Sequence, residues 1–166
     1  MFSVLVLKDS VQKMSDKDRV CCLMFDDMPI RQHLHFSQKI GCIECFEDFE
    51  RHSRTSNIAN HALVFKLRVP YKRWKQPVAY YLTHECTKGE MLVNYLVEVL
   101  DVCRNARVVV VVTVCDMGAN DIKAFKQLGV SEKTPFFKFH DQEIAAVFDP
   151  PLLLNAHVTF SLDMKL

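Results

Sequence analysis

Val108-Val109-Val110-Val111-Val112-Thr113-Val114-Cys115-Asp116-Met117-Gly118 is the stretch on which the fold turns. Six of its first eight residues are valine, and with Thr113 they form an almost unbroken β-branched run. Such side chains pack well on a pleated surface and lose rotamer freedom in a helix. The run shows no alternation of apolar and polar residues, so it predicts a central strand covered on both faces. Downstream, Asn120 is placed to cap a helix carrying Ile122, Phe125 and Leu128, and Gly129 to close it. Upstream, Met91, Leu92, Tyr95, Leu96, Val99, Leu100 and Cys103 recur at helical spacing. Thr87-Lys88-Gly89-Glu90 before them has the form of a capping box.

Further out, Val20-Cys21-Cys22-Leu23-Met24-Phe25 is a second buried strand ending in Asp26-Asp27. Residues 62–69 and 78–83 are β-rich and separated by a turn-prone stretch with Pro70 and Pro77, which predicts a hairpin. Residues 7–19 suggest a short amphipathic helix flanking the domain. Residues 31–60 read mainly as an excursion at the sheet edge, with a short strand near 40–45. Residues 135–139 suggest a further strand, and 144–154 are apolar but interrupted by Pro150-Pro151. The order of strand, hairpin, helix, buried strand and helix gives an α/β, three-layer plan of the ribonuclease H (RNase H) kind. In it an antiparallel three-stranded meander is joined through a helix to a parallel strand, with flanking helices.

Composition sets the bounds. A chain of 166 residues, 49% hydrophobic and 25% charged, suits one globular domain and excludes a largely disordered chain. A formal charge of +1 excludes a strong overall pull toward nucleic acid, so any such contact is a local patch. The longest apolar run is too short for a membrane span, and the start lacks the pattern of a secretory signal. An intracellular protein with no membrane partner is expected. Seven cysteines, mostly inside apolar runs, predict reduced thiols. Cys42-Ile-Glu-Cys45 has zinc-like spacing, with His52 and His61 as conceivable further ligands, but the spacing fits no common finger and strand or loop cysteines are preferred. His33-Leu34-His35 reads as loop rather than ligand.

Two aspartates stand where such a sheet places chemistry. Asp26 follows the first strand and Asp116 the valine run. Ligands of open α/β sheets collect outside the carboxyl ends of strands, and adjacent strands bring these carboxylates together. Two such groups suit a hard divalent ion for phosphodiester chemistry. The competing reading makes them polar strand stops. Asp27 points to the opposite face and ranks below Asp26. Lys72-Arg73-Trp74-Lys75 at the hairpin tip combines basic and aromatic residues that can track a phosphate backbone, although a solvated loop whose Trp packs back on the sheet is the preferred reading.

The runs Cys22-Leu23-Met24-Phe25-Asp26-Asp27-Met28, Asn57-Ile58-Ala59-Asn60-His61-Ala62-Leu63-Val64-Phe65, Trp74-Lys75-Gln76-Pro77-Val78-Ala79-Tyr80-Tyr81, Lys88-Gly89-Glu90-Met91-Leu92 and Val114-Cys115-Asp116-Met117-Gly118 carry a resemblance. Together with Leu128-Gly129-Val130-Ser131 and Asp149-Pro150-Pro151-Leu152-Leu153, they resemble P-element-type transposases and their THAP-domain relatives, over roughly residues 5 to 154. The resemblance implies the amino-terminal half of an RNase H-like catalytic domain at 20–154, incomplete at its carboxyl end, with a flanking helix at 1–19 and a divergent tail at 155–166. It implies that Asp26 and Asp116 are catalytic, as two members of a metal-binding acidic triad using Mg²⁺ or Mn²⁺. It further implies DNA at transposon ends as substrate and the nucleus as location.

The sequence also departs from the family. Asp27 stands where the family has Glu, and Leu152 and Asn155 replace a His and a Lys. The THAP zinc module, the nucleotide-binding insertion and the third acid have no counterpart here, so GTP and transposition by this chain alone are not expected. Glu143 precedes Asp149 and does not fit the family's order for the third acid. The alternative is a non-catalytic, domesticated or regulatory protein that binds DNA or a full-length transposase, or self-associates, through apolar surface at Val147, Phe148 and residues 152–154.

Overall fold

The structure is a computed structural model that describes residues 4–38, 42–44, 46–48 and 54–149. Helix α1 (Val4–Gln12) and a 3-10 turn (Asp16–Arg19) lead into strand β1 (Val20–Pro29). Four short strands follow: β2 (His35–Ser37), β3 (Cys42–Glu44), β4 (Phe46–Asp48) and β5 (Arg54–Ile58). The hairpin β6 (His61–Arg68) and β7 (Lys75–Thr83) comes next, then α2 (Gly89–Asn105), β8 (Val109–Cys115), α3 (Ala119–Gln127), β9 (Phe136–Phe139) and β10 (Gln142–Phe148). One sheet has the order β5-β4-β7-β6-β1-β8-β10-β9, and β2 pairs with β3 separately. Strands β7, β6 and β1 form the expected antiparallel meander, and β8 lies parallel to β1. Within residues 31–60, expected mainly as an excursion at the sheet edge, β4 and β5 extend the sheet beyond β7, and β2 and β3 pair with each other.

The valine run hides a bulge. Cys21 pairs with Val110 while Cys22 pairs with Val112, so Val111 is an extra residue on β8. A bulge transfers the following side chains to the other face. Val110, Thr113 and Cys115 are buried, whereas Val109 and Val111 are exposed. Both faces of β8 were expected to be covered; one is open along part of its length. The same holds for β1, where Cys21, Leu23 and Phe25 are buried but Cys22 and Met24 only half-buried. A run of identical apolar residues carries no record of which face is inside.

The buried face packs against all three helices. Leu92, Tyr95, Leu96, Val99, Leu100 and Cys103 of α2 join Leu63, Phe65 and Leu67 of β6 in one core. Tyr81 and Tyr95 stack at 3.8 Å between centroids, and Phe65 meets Tyr81 edge-on; such aromatic pairs contribute about 0.5–1.5 kcal/mol beyond burial. Helix α1, expected only as a flank, sends Leu7 and Val11 into this core. The helix starts also depart from the local pattern. Helix α2 has Lys88 at its N-cap without a side-chain cap, because the Thr87 amide donates instead to Asp27 Oδ2 at 2.7 Å. Helix α3 begins at Ala119 with Gly118 at its N-cap, so Asn120 lies inside the first turn. Gly129 closes α3 as expected, at φ 86°, with the Val130 amide bonded to Phe125 O and its own to Lys126 O.

Candidate acidic metal centre

Strands β1, β8 and β10 are parallel neighbours running toward one edge, where β8 and β10 stop at Cys115 and Phe148. Strand β1, expected to end before Asp26, continues to Pro29 because β6 still pairs with it, so Asp26 lies within the strand opposite Val64. Met24 pairs with Val114, and two residues on, the same register sets Asp26 level with Asp116. Phe148 pairs with Cys115, and the next residue, Asp149, is likewise level with Asp116. The Asp149 amide donates to Cys115 O at 2.8 Å, which ties this strand end down. By strand parity Asp26, Asp116 and Asp149 fall on the face away from the helices.

The carboxylates border two clefts. One, of about 210 Å³, lies on the open face and includes Asp26, Asp116, Asp149 and Lys66. The other, of about 510 Å³, runs toward the starts of α2 and α3 and includes Asp26, Asp27, Asp116 and Asp121. Burial, then repulsion from Asp26 and Asp149, raises the Asp116 carboxyl above its ordinary value. Asp121 is pushed up to about 6, first by burial and then by Asp116, against a hydrogen bond from the Gly118 amide. That bond is the helix-start contact in which an acid at the third position reaches back to the N-cap amide. A Cβ on Gly118 would stand 2.6 Å from Asp121 Oδ2, so a side chain there displaces the carboxylate.

Asp27 has a different role from Asp26. It turns toward the helix side, where Oδ2 holds the Thr87 amide and Oδ1 is buried without a partner. Among the described residues, no lysine, arginine or histidine forms an ion pair with Asp26, Asp116 or Asp149. Oxygen donors and uncompensated negative charge fit a hard divalent cation. Among the described residues, however, no three acidic, His or Cys side chains are grouped closely enough to hold a metal ion by themselves. Water, a substrate phosphate or a further acid must complete such a shell.

The sequence matches the family model of the TNP-like, RNase H N-terminal domain over residues 1–129. This chain belongs to that family. Its fold is similar to that of the Drosophila P element transposase in a strand transfer complex, with a TM-score of 0.71 at 22% identity. The likeness covers 92% of this chain and 32% of that one, so this chain spans about a third of the length of that transposase chain. No curated protein matches it. The chain is a transposase-derived RNase H-like domain, as its sequence motifs suggested.

The other candidate residues of this TNP-like domain do not join the acidic end. In the hairpin register Arg68 lies opposite Cys22 and His61 opposite Pro29, so the tip bearing Lys72, Arg73, Trp74 and Lys75 is at the far end of the sheet. There Lys72 pairs with Asp18 at 2.7 Å, the Tyr71 hydroxyl donates to Lys17 O, and Trp74 packs on the core. Arg73 and Lys75 are exposed. Glu143 is on β10 opposite Lys138 of β9. The side chains of Cys42, Cys45 and His52 lie outside the described residues. His61 contacts Cys86 and Asn60. The sequence assigns no site role to Asp149, Asp121 or Lys66; the signals for Asp149 are its place after an apolar, strand-like run and at the head of the Asp149-Pro150-Pro151 motif.

Proposed function

We propose that this domain is the part of a P-element-type transposase that positions a divalent cation, Mg²⁺ or Mn²⁺, through Asp26 and Asp116 for DNA cleavage and strand transfer in the nucleus. The observation that carries this reading is the common level of Asp26, Asp116 and Asp149 on three parallel neighbouring strands, with the Asp116 carboxyl raised by burial and then by repulsion from Asp26 and Asp149. When bound, the cation lowers the pKa of an attacking water or 3′-hydroxyl and stabilises the leaving oxygen. Asp26 and Asp116 would supply the ligating oxygens, and Lys66, which lines the same cleft, would meet a DNA phosphate. Asp27 and the Gly118–Asp121 contact hold the loops around them. Two donors do not complete a catalytic shell, so further oxygen ligands must join them before DNA is cleaved.

The test is thermal unfolding with Mg²⁺. At tenfold excess over the dissociation constant, selective binding stabilises by about 1.4 kcal/mol, or about 4 °C for a chain of this size. The shift disappears in Asp26→Asn and Asp116→Asn. An equal shift in wild type and both variants contradicts the assignment.

A second reading, partner binding without catalysis, is favoured by the open sheet face, where Met28, Tyr80, Val109 and Val147 are exposed. A full-length transposase or a second copy is the partner it suggests. Light scattering that shows a monomer indifferent to both contradicts it.

A further inference from the structure

Outside the acidic end, one cluster combines a nucleophile with a base. Cys86 Sγ is 3.5 Å from His61 Nε2, and His61 Nδ1 is 2.7 Å from Asn60 Oδ1. The amide oxygen only accepts, so Nδ1 carries the imidazole hydrogen and Nε2 is left to accept from the thiol. A nucleophile in reach of a base that is itself oriented by a third group is the arrangement of an assisted thiol.

The frame around it is fixed. The Asn60 amide donates to Thr83 O at 2.9 Å, and Asn60 O accepts from the Ile30 amide at 2.8 Å. On the other side, Asp27 holds the amide that follows Cys86. Cys86 is exposed, whereas Cys21, Cys103 and Cys115 are buried. Burial raises Cys21 to about 11 and Cys103 to about 12, which keeps them protonated.

Cys86 and Thr87 border the 510 Å³ cleft. Thr87 is 6% exposed, and its Oγ1 has no hydrogen-bond partner. A free hydroxyl beside an assisted thiol in a cleft suits a ligand carrying a carbonyl next to a reactive carbon. We propose that Cys86 is a covalent modification site for soft carbon electrophiles of the α,β-unsaturated carbonyl class, with His61 as base, Asn60 as its orienting partner and Thr87 as donor to the carbonyl oxygen.

The step balances within these groups. His61 Nε2 takes the thiol proton as the S–C bond forms at the β-carbon. The electron pair of the C=C bond moves to the enolate, which Thr87 stabilises. The α-carbon then takes a proton back from His61. No oxidant or reductant is consumed. The adduct stands in the cleft that Asp26 and Asp116 share.

N-ethylmaleimide, an electrophile of this class, provides the test, with peptide mapping of the alkylated cysteine over time at pH 7. Cys86 is expected to react at least about a hundredfold faster in the wild-type chain than in His61→Gln, and faster than glutathione under the same conditions. Thr87→Val, which keeps side-chain volume, slows the reaction while its unfolding transition stays cooperative. Equal Cys86 rates in wild type, His61→Gln and Thr87→Val overturn the proposal. If His61→Gln does not fold, a wild-type rate no greater than that of glutathione overturns it, and a greater one supports it. Stoichiometric zinc that is lost in Cys86→Ser also overturns it, because the pair is then a metal site.

Discussion

Asp121 shows at the level of one side chain how crowded the acidic end is. Its folded-state pKa of about 6 exceeds the ordinary 3.8 because burial and then Asp116 oppose its charge. The folded chain therefore binds more protons than the unfolded one between these values. The stability this confers is complete below about 3.8 and is lost as the pH rises through about 6. Asp121→Asn keeps an oxygen for the Gly118 amide and removes the charge. Discounted for partial solvent exposure, the gain at pH 7.5 is about 1 kcal/mol, with none at pH 4, as measured by urea unfolding at both pH values. Arg107 is a second residue with a conformational cost, because it occupies the left-handed position after α2 at φ 62°. Arg107→Gly raises stability by about 0.5–1 kcal/mol, or about 2–3 °C in Tm. Neither cost shows in the local sequence. Likewise, Thr87 and Glu90 have the letters of a capping box, but Asp27, 60 positions away in sequence, takes the amide such a box would use.

At the scale of elements, Phe125 of α3 links the helices to the acidic strand ends. It meets Phe25 at 6.2 Å and Phe148 at 5.6 Å, the residues immediately before Asp26 and Asp149. Phe125→Ala therefore costs about 3–5 kcal/mol in chemical denaturation and loosens two of the strand ends that carry the carboxylates. Phe125→Leu, which retains much of the volume, costs less and keeps the Mg²⁺ shift in Tm. Elements with many apolar residues in one period were legible: all six α2 residues buried from Leu92 to Cys103 were named by spacing, and the β6–β7 hairpin by its turn. The bulge at Val111 was not legible, because adding a valine to a valine run changes no pattern. Strands β4 and β5 escaped notice because stretches such as Arg54-Thr55-Ser56-Asn57 are polar: β5 pairs with β4, and β4 joins the sheet through β7, far along the chain.

For the molecule as a whole, the helices cover one face of the sheet and leave apolar side chains on the other, Val147 among them at 38% exposure. Val147→Lys changes stability by no more than about 0.5 kcal/mol, since the residue is outside the core. It is expected to lower self-association measured by light scattering, where an unchanged mass distribution above the monomer would speak against contact through this face. Asp26 and Asp116 were legible as candidates because each follows a recognisable apolar run, although β1 continues past Asp26 to Pro29. Asp149 was not, because its place beside them depends on β10 docking parallel to β8, a long-range pairing. The most direct test of the account is titration of Mn²⁺ into the isotope-labelled chain with NMR line broadening as readout. The account predicts selective broadening around Asp26 and Asp116 that is lost in Asp116→Ala, while amides at the far hairpin tip stay sharp. Uniform broadening, or a selective pattern that survives Asp116→Ala, would contradict it.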